Sequence, residues 1–141
     1  MSPSKKNDGQ FKIKNAPKEV SISKNNVFEE GYPIFCFKYL SDESIKKCKK
    51  ADFFIAFLLR LKKLSELGWR EIRTSQRHGF GMEKIPIEKI HPKLPSFITP
   101  DVKYLHVFRA TGNNLPFVGL EMQGVFRVLF IETNFGDIYD H

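Results

Sequence analysis

Apolar residues recur at three- and four-residue spacing from about Asp52 to Leu67, through Phe54, Phe57, Leu58, Leu61, Leu64 and Leu67. That spacing is the signature of an amphipathic helix. Arg60, Lys62, Lys63 and Glu66 mostly fall off the stripe, Asp52 is placed to cap its start, and Gly68 to end it in a left-handed conformation. Phe53, Ile55 and Leu59 widen the stripe, which predicts structure on more than one side of this helix. Trp69 and Ile72 fit one further turn with both side chains facing inward.

Elsewhere the pattern is that of strands. Tyr32 to Leu40 is aromatic and β-favouring and predicts a first strand; Ser41 then offers a helix cap to a short, lysine-rich segment. Met82 to Ile85 leads into a second strand, after which Pro86, Pro92, Pro95 and Pro100 forbid long regular structure. Val102–Ala110 and Leu115–Met122 read as strands, and Gln123-Gly124 as a tight reversal. Val125–Glu132 is almost wholly apolar, as a strand buried on both faces must be. Asp137–His141 reads as a last short strand. Residues 1–30 are polar and rich in Lys and Asn, and predict a basic, loosely ordered arm. The expectation is α+β: a helical layer on one face of a mostly antiparallel sheet of four or five strands, spanning residues 31–141 as a single domain. The other sheet face is then expected to be free as a concave working surface.

Composition changes this picture in three ways. With 41% hydrophobic and 28% charged residues, the chain has the balance of a globular protein rather than a disordered one. Cys36 and Cys48 form neither a disulfide framework nor the paired spacing of a zinc site, which suits reduced thiols in a cytoplasmic protein, with Cys36 buried in its strand. No apolar h-region opens the chain and no stretch is long enough to span a bilayer, so no membrane partner is expected. The net charge is +7, divided as +5 over residues 1–50, +4 over 51–100 and −2 over 101–141. The basic excess lies in the arm and the helical half, where Lys46, Lys47 and Lys50, with Arg77 and Lys84, are candidates to attract RNA. A merely solubilising surface is the plain alternative.

No nucleotide-binding, metalloprotease or serine-nucleophile motif occurs, so no metal or cofactor is expected. In contrast, the order of elements is similar to the RelE/ParE toxin superfamily, over roughly residues 34–141. The segment Phe126-Arg127-Val128-Leu129-Phe130 resembles that family's central strand, Leu105 to Arg109 its preceding strand ending in arginine, and Tyr139 with His141 its closing aromatic and basic residues. The resemblance implies a toxin of a toxin–antitoxin system: a metal-independent endoribonuclease acting on mRNA at the ribosome, with an antitoxin protein as partner. A ParE-like, non-catalytic module binding nucleic acid or protein is the other function it allows. The arm, the proline-rich insert and the acidic final third depart from the family pattern.

Cleavage of RNA without a metal needs a base for the 2′-hydroxyl, an acid for the leaving oxygen and cations on the phosphate. His78, Arg109, Arg127, Tyr139 and His141 are the catalytic candidates. Arg109 and Arg127 stand in otherwise apolar strands, where a charge must face a cleft or be paired, with Glu121, Glu132 or Asp137 as the expected alternatives. His106 alternates with Tyr104 and Phe108 and reads as a packed core histidine. Arg77-His78-Gly79 lies in a glycine-bearing loop, where either binding or simple solvation is expected.

Overall fold

The computed structural model describes residues 31–76, 79–111 and 115–141. The arm, the pair Arg77 and His78, and the turn at 112–114 lie outside the described residues. The elements are β1 (Ile34–Cys36), α1 (Asp42–Lys47), α2 (Ala51–Leu67), α3 (Trp69–Thr74), β2 (Glu83–Pro86), β3 (Tyr104–Arg109), β4 (Pro116–Met122) and β5 (Val125–Ile131), with a 3-10 turn at Ile87–Lys89. They form an α+β fold with one mixed sheet in the order β1-β5-β4-β3-β2. Among the described strands, only β1 departs from the antiparallel pattern, running parallel to β5 with Ile34 beside Val125 and Cys36 beside Arg127.

Local chemistry explains most boundaries. The Ser41 hydroxyl accepts from the Ser44 N–H at 3.4 Å and so caps α1. Helix α2 begins one residue before Asp52, at a Lys50 cap with no side-chain hydrogen bond, so Asp52 sits in the first turn instead. Gly68 does end α2, though not in the left-handed helical region expected: at φ +83 and ψ 160 it takes an extended, positive-φ conformation open essentially to glycine alone. The β4–β5 reversal takes positive φ at both Gln123 (55) and Gly124 (81), the backbone of a tight hairpin turn. In the β4–β5 pair the register shifts between Val118 and Gly119, a bulge that places Leu129 and Phe130 on the same side of the sheet.

One face of the sheet packs on the helices through an aromatic core. Phe108 and Phe117 stack at 5.4 Å, Phe57 of α2 meets Phe117 edge-on at 5.1 Å, and Phe35 meets Phe126 at 5.9 Å. Trp69 is fully buried, and its indole N–H donates to the Gly124 carbonyl at 3.2 Å. Ile72 is fully buried beside it, as the sequence predicts.

The opposite face is not the free concave surface expected. Ile85, Leu105, Val107, Val118, Leu120, Leu129 and Phe130 are buried there beneath Ile87, Ile90, Leu94, Phe97, Ile98 and Val102 of the proline-rich segment, together with Ile138 and Tyr139. Phe97 stacks on Tyr39 at 4.1 Å, joining that cover to the loop after β1. Prolines break secondary structure without preventing burial, so the segment covers the sheet as an irregular layer. Three smaller expectations also change. The first strand is confined to three residues, and the last strand is absent: residues 137–141 are irregular. Cys36 is only half-buried, and Cys48 is the buried thiol; both are free.

Candidate active site

The C-terminal segment turns back over the end of β3, and this return builds a cavity of about 440 Å³. Arg109 at the end of β3, Glu83 and Lys84 of β2, Lys89, Phe135, Tyr139, Asp140 and His141 line it. Four of the residues singled out from the sequence (Lys84, Arg109, Tyr139 and His141) therefore meet in one place.

The anchor is Glu132, directly after β5, which is fully buried. One carboxylate oxygen accepts the Ile138 N–H at 2.8 Å, and the other stands 2.5 Å from His141 Nε2. A buried carboxylate is tolerable only with such partners. By accepting from Nε2–H it fixes the tautomer and leaves Nδ1 as the proton-accepting nitrogen. The imidazole is held between rings, 3.7 Å from Phe135 and 4.3 Å from Tyr139, centroid to centroid. Although 137–141 is not a strand, the two closing residues thus come together by ring packing.

Arg109 is buried, with Nη2 3.5 Å from a Glu83 carboxylate oxygen. The expected ion-pair partners lie elsewhere: Glu121 faces Arg73 at 3.7 Å, Asp137 faces Lys47 at 3.5 Å, and Glu132 holds His141. Burial, with the Glu83 charge adding to it, pushes the Tyr139 phenol above its ordinary pKa, while Arg109 opposes this by charge and by a side-chain hydrogen bond. Tyr139 consequently keeps its proton well beyond neutral pH. Lys84 is exposed at the rim, with Nζ 5.8 Å from the centre of the Tyr104 ring.

Arg127 does not join this group. It pairs with Leu120 and Arg109 with Pro116, so four positions of β4 separate them, about 13 Å along the strand. One Arg127 guanidinium nitrogen is buried with no hydrogen-bond partner. The two arginines do not line one cavity. His78 and Arg77 lie outside the described residues. Lys46, Lys47 and Lys50 are exposed on and after α1, and Lys47 and Lys50 border a separate cavity of about 470 Å³. His106 is a packed histidine, as expected: its Nδ1 accepts the Glu121 N–H at 3.2 Å.

Sequence reading missed Glu132, Glu83, Lys89 and Phe135 as members of the site. Glu132 carried a signal, being a carboxylate at the end of an apolar strand, but was weighed only as a partner for arginine. Among the described residues, no group of three or more His, Cys, Asp or Glu side chains is placed to hold a metal ion, and no helix is long and apolar enough to cross a membrane.

Fold and cleft together define an α+β protein with a lined cleft at one end of a mixed sheet, where a carboxylate-backed histidine meets an arginine and a protonated phenol. Compared with known proteins, the chain matches no family model, no curated protein and no solved structure.

Proposed function

We propose that this protein is a RelE-like toxin, cutting RNA in the cleft of Arg109, Tyr139 and His141 without a metal ion. The observation that carries this reading is the pairing of His141 with the buried Glu132 beside a protonated phenol and a guanidinium. In this mechanism Nδ1 of His141 takes the proton of a ribose 2′-hydroxyl. The freed oxygen attacks the adjacent phosphorus, and the bond to the 5′ oxygen breaks. Tyr139 gives the leaving oxygen its proton, so the products are a 2′,3′-cyclic phosphate and a 5′-hydroxyl. Arg109, Lys84 and Lys89 offset the phosphate charge, against Glu83 and Asp140 on the same walls. Exposed Lys46, Lys47 and Lys50 would guide the strand, and an antitoxin protein would restrain the activity in a cytoplasmic setting.

The pairing of Arg109 with Glu83 favours a second reading, a non-catalytic module that binds nucleic acid or protein. Brief induced expression in bacteria separates the two, comparing wild type with His141→Ala and Arg109→Ala while checking that each variant folds. Growth arrest with discrete RNA cuts, reduced about 100-fold or more in His141→Ala, is the expected result. Arrest with intact RNA would favour the binding module, and unimpaired growth with folded protein present would remove the toxin reading altogether.

A further inference from the structure

Helix α2 turns only one side to the sheet. Phe57 and Leu64 are buried and Phe53 and Leu61 pack against the core, but Phe54, Ile55, Leu58 and Leu59 are 44%, 58%, 67% and 62% exposed. Four large apolar side chains on one and a half turns make a contiguous patch, unlike the scattered apolar residues of an ordinary surface.

The charges around this patch select its occupant. Asp52 lies at the amino end of the exposed side and Lys63 at the carboxyl end. At 100° per residue both fall on the edge of the patch occupied by Leu59, and their midpoint is half a residue from Leu58. Lys62 is held by Glu66 within the same helix, whereas Lys63 sits outside that pair. A two-fold axis beside Leu58 would set a second α2 antiparallel to the first. Because such an axis keeps each edge on its own side, Asp52 of one copy would then meet Lys63 of the other, twice. The face is complementary to itself in charge as well as apolar character, the requirement for an isologous interface.

We infer that the protein forms a homodimer through antiparallel packing of α2 on α2, centred on Leu58. This surface is independent of the cleft and of the activity proposed for it. The test is the solution mass of the full chain by light scattering over a range of concentrations. The expected wild-type mass is twice the 16.4 kDa of one chain. Leu58→Asp should raise the dissociation constant by more than about thirtyfold, as loss of a central apolar contact does. Asp52→Lys and Lys63→Asp should each weaken the dimer, and the double variant carrying both should recover it. A mass of one chain at every concentration would overturn the inference, leaving the patch to another segment or a foreign partner. So would a dimer indifferent to Leu58→Asp, and failure of the double variant to recover would overturn the antiparallel register.

Discussion

His106 and His141 are both hydrogen-bonded, in opposite senses. His141 faces a carboxylate, whereas His106 accepts a backbone N–H through Nδ1, which only a nitrogen without a proton can do. Burial is the main cause that lowers the His106 pKa; Glu121 opposes it, and Lys84 and Arg73 add to it. Below about pH 6.5 the unfolded chain takes up a proton that the folded chain refuses. This contribution to stability is therefore complete above that pH and is lost as the pH falls toward the lower folded value. Urea unfolding followed from about pH 7.5 to pH 5 should show the loss, and His106→Gln should flatten that part of the curve. An equally steep decline in the variant would assign the acid sensitivity to other groups. At this scale the sequence was informative about residue type and poor about partners. Arg109 was expected to face a cleft or to pair with Glu121, Glu132 or Asp137; its carboxylate is Glu83, which reaches it only through the β2–β3 pairing that no local pattern encodes.

Among elements, α2 shows what periodicity does and does not determine. Its length and its end at Gly68 follow from the pattern, yet Phe54 and Leu58 of the expected core stripe are exposed while Phe53 packs inward. With nine large apolar residues from Phe53 to Leu67, more than one stripe is consistent with the spacing, and packing against Phe117 decides among them. The bulge between β4 and β5 was equally hidden. A Cβ at Gly119 would lie 2.1 Å from the Arg127 carbonyl oxygen and 2.7 Å from the Phe126 ring, so the two strands close only over a hydrogen. Gly119→Ala should cost about 3 kcal/mol as backbone is forced apart. A denaturation midpoint unchanged from wild type would show that the strands can separate there without penalty.

For the molecule as a whole, the α+β class and the division into helical and strand-rich halves were legible, because long apolar runs leave few alternatives. The cover on the second sheet face was not. Ile87, Ile90, Leu94, Phe97 and Ile98 recur at three- and four-residue spacing, but Pro92 and Pro95 among them forbid a continuous helix, and without a regular element no local pattern showed which way they face. Their burial makes the segment part of the core. Phe97→Ala, which removes the stack on Tyr39, should lower stability by about 2–4 kcal/mol in chemical denaturation. A loss near zero would show that the layer rests on the sheet without supporting it. The same reversal displaced the candidate site from an open sheet face to the end of the sheet, where residues 133–141 return over β3.

The parallel pairing of β1 with β5 has a consequence for the order of assembly. Ile34 pairs with Val125, 91 positions further along the chain, and Phe35 has Phe108, Phe117 and Phe126 as its ring neighbours. On a growing chain, β1 has no strand partner until β5 has been made. Such distant closure slows folding, because the entropy of bringing the ends together is lost before any contact returns it. The cleft closes later still, since Tyr139 and His141 follow that strand. Whatever the cleft does, the nascent chain cannot do it until synthesis has passed α3, β5 and the histidine at position 141.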